Sequence, residues 1–339
     1  MNFDKPVLFP PFNITRASHT ILSARDLEAS KHFYTELVGL VVSDEDENTL
    51  YLRGREERGH HSLVLKKSTG PRVCHRLGMR MLTDDDIKAA YDWFNENGFA
   101  ATFVDVPFQG LTLHVRDAMG LPLEFVADMD AMPRQMYGYD QYKGASAQRA
   151  DHWQTQSSDV AKSMAFYHTL GFRTSEYTYS DNDAGGQDLW GGWMQRKGNP
   201  HDIVFTNGPG PRLHHFAYLL RDAADTVHAC DVAGALGFNH DLERGPGRHG
   251  ISGAMFIYFR DPDGHRIELF NTHYQHIDLE PPLAWSLSDP KRADQWGMPA
   301  QEKWFTEATE FEGAAPDAPI LNAPLPTLEK FLDKQKQPA

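Results

Sequence analysis

Three residues in the C-terminal half of this 339-residue chain, His152, His215 and Glu268, are of the types that bind a divalent transition metal. Two imidazoles and one carboxylate on a single face of an octahedral ion leave three positions open, the arrangement used by iron(II) oxygenases that take substrate and dioxygen together. A zinc hydrolase can use the same residue types but needs fewer open sites. A lone histidine on a strand is usually a packed or surface residue. What joins these three is that each sits at a matching place in a repeated pattern.

Arg16-Ala17-Ser18-His19 recurs as Arg149-Ala150-Asp151-His152, and each histidine is followed at the same spacing by an aspartate, Asp26 or Asp159, and then by Phe33-Tyr34 or Phe166-Tyr167. Gly70-Pro71-Arg72-Val73-Cys74-His75 matches Gly210-Pro211-Arg212-Leu213-His214-His215, and Arg116-Asp117…Gly120…Glu124 matches Arg260-Asp261…Gly264…Glu268. The two halves are therefore one duplicated fold.

The elements that position these residues can be read within each half. Residues 26–37, 85–97, 158–170 and 222–236 read as helices, with Ser/Asp-type caps before them and glycines near 39 and 171. Thr49–Leu52, Ser62–Leu65, Ala254–Tyr258 and His265–Leu269 read as short strands bounded by Gly, Pro and Asp. Each half is then two βαβββ units, an α+β architecture in which paired sheets enclose a concavity. The expected division is 1–140 for the first domain, 141–279 for the metal-binding domain and 280–339 for a tail carrying Trp285, Trp296 and Trp304 over the second domain.

Composition narrows the function. A formal charge of −14 with no long basic cluster argues against nucleic acid as a partner and for a small-molecule substrate. No apolar stretch is long enough to cross a membrane, and the first residues lack a basic, then apolar, leader, so a cytoplasmic protein with no membrane partner is expected. Two cysteines, one in each half, build neither a disulfide framework nor a cysteine zinc site. Seventeen histidines suit metal binding and proton transfer.

The segments Arg149–His152, Gly210–His215, Glu243-Arg244-Gly245-Pro246-Gly247-Arg248-His249-Gly250 and Asp261–Glu268 resemble those of the type I extradiol dioxygenases of the vicinal oxygen chelate superfamily. Within that family the resemblance is greatest to the homoprotocatechuate (3,4-dihydroxyphenylacetate) 2,3-dioxygenases, over about residues 14–300. It implies the vicinal oxygen chelate fold in two tandem domains with an open barrel-like cavity, iron(II) or in some members manganese(II) on His152, His215 and Glu268, and a homo-oligomer, commonly a tetramer. It also implies ring cleavage of a catechol by dioxygen to a muconic semialdehyde. By the same resemblance His201 is the acid–base histidine and Tyr258 bonds a metal-bound substrate oxygen. Trp193 and His249 line the pocket, and Arg244, Arg248 and Arg292 are candidates for a substrate carboxylate.

Two departures stand out. Relatives carry two successive arginines where this chain reads Arg292-Ala293-Asp294, which weakens the case for an acetate-bearing catechol and favours, as the alternative, catechol or alkylcatechols. The N-terminal half keeps His19, His75 and Glu124 at the places expected to match the metal set, with His61 matching His201, His114 matching Tyr258 and Arg53 matching Trp193. These read as vestiges of the duplication, and a second, non-catalytic metal there is a hypothesis. A glyoxalase-like isomerase or lyase is a more distant alternative that needs a fourth protein ligand, and an aromatic-binding protein is another.

Overall fold

The computed structural model describes Phe3, residues 6–322 and residues 327–335. The first unit runs β1 (Ile14–Ala24), α1 (Leu27–His32), β2 (Val41–Glu45), β3 (Thr49–Arg53), β4 (Leu63–Lys67). The second runs β5 (Val73–Met81), α2 (Asp84–Glu96), β6 (Thr102–Val104), β7 (Thr112–Arg116), β8 (Pro122–Val126). The C-terminal half repeats the order: β9 (Arg149–Ser157), α3 (Val160–Thr169), β10 (Arg173–Asp181), β11 (Gln187–Gln195), β12 (Ile203–Asn207), then β13 (Arg212–Leu219), α4 (Ala223–Leu236), β14 (Leu242–Arg248), β15 (Met255–Arg260), β16 (Arg266–Asn271). The tail adds β17 (Leu283–Ser286), α5 (Glu302–Thr306), β18 (Thr309–Phe311) and α6 (Leu328–Gln335). These are the four βαβββ units that the repeat requires.

Each unit's helix starts on a side chain that accepts its orphan amides: Asp26, Asp159 and Asp222 as single caps, and Thr83 in a reciprocal capping box with Asp86. The helix expected to end near residue 37 changes character: after His32 the chain continues as a π-helical turn, Phe33–Val38, and stops at Gly39 with φ +80°. The looser turn sets Phe33, Tyr34, Leu37 and Val38 all into the core, without exposure.

In each domain the first strands of its two units pair antiparallel, β1 with β5 and β9 with β13. Parallel partners flank them, β4 and β8 in one domain, β12 and β16 in the other. Each domain is thus a curved sheet of eight strands, and β17 extends the second by pairing with β10. Strand β18 lies between the domains, antiparallel to the start of β13 and parallel to the start of β5. The tail therefore joins the two sheets rather than only covering the second.

The repeated Phe-Tyr and Arg-Asp motifs meet across the same boundary. Tyr34 of the first domain donates to Asp261 of the second (2.8 Å), and Tyr167 of the second donates to Asp117 of the first (3.2 Å). The other oxygen of each aspartate accepts backbone amides of its own turn, Met119 and Leu121 in one and Asp263 and His265 in the other. Among the described residues no helix is long and apolar enough to cross a membrane.

Candidate metal centre

Alternation along β9, β13 and β16 turns His152, His215 and Glu268 onto one concave face, where each is 3% exposed. Glu268 Oε2 lies 3.0 Å from His152 Nε2 and 3.1 Å from His215 Nε2. The far side of each ring is fixed. His152 Nδ1 donates to Asp151 (2.8 Å). His214 Nε2 donates to the Trp304 carbonyl (2.8 Å), so its Nδ1 is left to accept from His215 Nδ1, also at 2.8 Å.

Both metal-facing Nε2 atoms are thereby left with lone pairs, turned on a carboxylate oxygen. Three acceptors held within 4.8 Å of one another away from water call for a cation between them, and the donor set fits a divalent metal. The electrostatics agree. Burial alone raises the Glu268 carboxyl, but the two imidazoles outweigh it and hold it well below its usual range. Burial lowers His215 to about 4 despite Glu268, so it is a neutral imidazole at neutral pH. His152, which burial would lower, is raised by the carboxylates of Asp151 and Glu268.

Above these three atoms opens a cavity of about 620 Å³. His201 reaches it from just ahead of β12, with its ring 4.1 Å from that of His152 and its buried Nδ1 without a partner. Burial pushes its pKa well below 6.5, aided by His152, so it faces the cavity uncharged. Tyr258 on β15 pairs across the ladder with Glu268, donates to its Oε1 (2.6 Å) and lies 3.0 Å from His249 Nε2. His249 Nδ1 donates in turn to the Ala293 carbonyl. Trp193 lines the wall, packed on Val204 and Ile251.

The three arginines separate. The Gly-Pro-Gly segment that carries two of them lies in strand β14. Arg244 lines the cavity stacked between Phe256 and Trp304, but its charge is paired with Asp294 at 2.5 Å. Arg248 does not line the cavity and donates to the Gly253 carbonyl. Arg292 lines it with no carboxylate partner, donating only to the Asp289 carbonyl.

Other residues of the site escaped the sequence reading. His273 lines the cavity with its ring 4.9 Å from His201 and its Nε2 unpartnered. Its place in the repeat falls on Met129, so nothing in the pattern marks it. Asp151 could have been found, since it replaces Ser18 beside the matching histidine. Trp304, Phe305 and Leu321 show that the tail forms part of the wall.

The N-terminal copy requires a correction. Gln154 on β9 pairs with His215, and its counterpart Ile21 pairs with Arg76, not His75. Relative to the sheet, the Gly-Pro-Arg segment of the first domain is one residue longer, so Arg76 occupies the ligand position. His75 matches His214 and pairs with Glu312 in the tail. Likewise Tyr51, opposite Val64, matches Trp193 opposite Val204, and Arg53 does not. Glu124 is occupied by His19 (2.7 Å), His114 (2.6 Å) and Gln109 (2.8 Å). Among the described residues His19, His75 and Glu124 do not converge on a common point.

Four βαβββ units in two domains, with His152, His215 and Glu268 converging on one point of the second among the described residues, define a class of proteins built on paired units. The chain belongs to the glyoxalase/bleomycin resistance protein/dioxygenase superfamily, whose family model matches residues 16–125 and again 149–269. It is 30% identical over 309 residues, 84% of this chain and 94% of the relative, to a manganese-dependent 2,3-dihydroxybiphenyl 1,2-dioxygenase of Geobacillus genomosp. 3. A metapyrocatechase of Geobacillus stearothermophilus is 24% identical, with 91% of this chain and 96% of that one covered. Among solved structures, the anaerobic complex of homoprotocatechuate 2,3-dioxygenase from Brevibacterium fuscum with 3,4-dihydroxyphenylacetate is 36% identical. It superposes with a TM-score of 0.86 over 93% of this chain and 99% of that one.

Proposed function

We propose that this protein opens the ring of a substituted catechol by extradiol cleavage, both atoms of dioxygen entering a muconic semialdehyde product, at a metal held by His152, His215 and Glu268. The observation that carries the reading is the buried face of two imidazole Nε2 atoms and a carboxylate oxygen at the floor of an aromatic-walled cavity. The match to solved extradiol enzymes over nearly the whole chain supports it. Iron(II) is the metal we assign; manganese(II) accepts the same donors, and the manganese-dependent relative supports that choice as the alternative. When bound, the metal supplies the open positions that bring catecholate and dioxygen together and the route for electrons between them.

The protein's own groups do the rest. The uncharged His201 takes a proton from the catechol as it binds and returns it during ring opening, which its orphan Nδ1 at the cavity wall allows. Tyr258, anchored between Glu268 and His249, presents its hydroxyl to a substrate oxygen. Trp193 and Trp304 wall the ring in and limit water.

For the substituent, Arg292 is the cation of the three best placed for a carboxylate such as that of homoprotocatechuate, because Arg244 is neutralised and Arg248 turned away. Walls that include Trp190, Ile251, Leu287 and Phe305 equally suit an apolar substituent. Metal-loaded protein is to be tested for oxygen uptake and yellow product on homoprotocatechuate, protocatechuate, catechol, 3- and 4-methylcatechol and 2,3-dihydroxybiphenyl. Uptake with none of them defeats the reading; the ranking assigns the substituent. Assembly as a homo-oligomer belongs to the same reading and is tested by sedimentation.

A further inference from the structure

In the first domain, Arg16 at the start of β1 and Arg80 near the end of β5 stand directly opposite one another in the ladder. Like charges at such a cross-strand pair repel. Among the described residues neither has a carboxylate within ion-pair distance: Arg16 donates to the Ala17 carbonyl and Arg80 to the Ala127 carbonyl, and the Arg80 Nε is buried without a partner. Both line a cavity of about 460 Å³ at the seam with the second domain.

The acidic residues of this cavity offset them only in part: Asp128 and Glu57 act on Arg80, and Glu57 on Arg16, through space. Glu56 is paired with Arg149 at 2.6 Å. Glu57 is committed to the amides of Gly54 and Ala150 and the Ser62 hydroxyl. Among the described residues Asp128 is within ion-pair distance of no cation, while Arg58 and Arg134 add two further cations to the walls. An excess of guanidinium in a chain of net charge −14 is thus concentrated in one recess. The backbone accommodates it: a side chain at Gly59 would come within 2.9 Å of the Arg80 Nη2. The Gly59 and Ala131 bridge and the Met132 amide on the Arg58 carbonyl (2.7 Å) tie the two rim segments together. Burial, with Arg16 beside it, lowers Arg80 to about 10 against the opposing pull of Asp128 and Glu57.

We propose that this recess is a binding site for a small dianion, a phosphate or a short dicarboxylate, held by the forked donors of Arg16 and Arg80. Two facing guanidinium groups offer the bidentate geometry that phosphate and carboxylate oxygens accept, and an anion between them turns their repulsion into attraction. Because Arg149 and Ala150 begin the strand that carries His152, occupancy also stabilises the junction between the domains.

The test is calorimetric titration and thermal unfolding of the full chain with inorganic phosphate and with malonate, against chloride at matched ionic strength. Saturable binding of one anion per chain is expected, with unfolding temperature rising as the site fills. Arg80→Met and Arg16→Met should each weaken binding at least tenfold while being as stable as the wild type in chloride, since repulsion is removed. Lys88→Met on α2, outside the recess, should bind as the wild type does. Absence of saturable binding, or unchanged affinity in both arginine variants, overturns the proposal. So does a result in which no free anion binds but the arginine variants dissociate an oligomer, which would assign the recess to an acidic side chain of a second copy. If one variant fails to fold, the other decides.

Discussion

At the scale of single residues, the proposed reaction divides the site into atoms that would hold a cation and atoms that would handle protons, and the hydrogen bonds behind each ring favour that division. His215 can present a bare Nε2 because its Nδ1 leans on His214, which leans on the Trp304 carbonyl. His201 has no such backing. Replacing His201 by Asn should leave metal content at wild-type level and lower turnover by about 10²-fold or more, the usual worth of a positioned acid–base group. Full-rate cleavage to the same product would remove His201 from the mechanism. In the first domain, Arg76 places a fixed cation at the position that His215 takes in the second, and Glu124 lies in its field. One metal per chain is therefore expected by elemental analysis, unchanged in His75→Ala and lost in His215→Ala. Two equivalents in the wild type would contradict it. His152 and Glu268 were legible because strand register preserves their spacing from the repeated motifs, and His215 because it follows Gly210-Pro211-Arg212 at the start of its strand; His273 was not, since it lies beyond the repeated segment and reaches the cavity through the fold alone.

At the scale of elements, β14, β15 and β16 form the wall behind the site, and a buried charge cluster fixes their register. Glu243 accepts from Arg266 (2.6 and 2.9 Å) and from Arg260 (2.9 Å), with its side chain 2% exposed. Burial would raise its pKa, yet the two guanidinium groups depress it to about 2. A carboxyl whose pKa falls on folding contributes stability above its unfolded value, near 4.5, and loses it as pH drops towards the folded one. Glu243→Gln should therefore cost on the order of 3 kcal/mol at pH 7, by the free-energy equivalent of that shift. In urea titrations the gap from wild type should narrow below pH 4.5 and close by about pH 2. A gap independent of pH would show that packing, not charge, sets the cost. Helices were readable here because their caps are local. The strands were less so: counting from Gly70-Pro71-Arg72 mistakes His75 for a ligand position, because the extra residue is absorbed where loop becomes strand and only pairing with β1 reveals it.

At the scale of the molecule, the duplication did more than supply two similar domains. Each contributes a tyrosine to the other's buried aspartate, so the Phe-Tyr and Arg-Asp motifs, visible separately in the sequence, are two halves of one reciprocal contact. No spacing rule within a single domain could have paired them. Tyr34→Phe and Tyr167→Phe should each cost about 1–3 kcal/mol, the price of a buried acceptor losing its donor. If the double variant loses no more than either single one, the two contacts form a single cooperative lock; denaturant midpoints for the four proteins decide this.

Strand β18 has a consequence in time rather than in space. Its residues Glu310 and Phe311 pair with Val73 and Cys74, more than two hundred positions earlier in the chain, while Thr309 and Glu310 pair with Leu213 and Arg212. On a ribosome, both domains are synthesised before the segment that stitches their sheets together, and the same stretch of chain brings Trp304 to the wall of the cavity. The nascent protein can therefore build the strands that carry His152, His215 and Glu268 early, yet the cavity beside them is not fully walled until this late, long-range seam closes, which makes the seam the step at which an assembled fold gains its finished cavity.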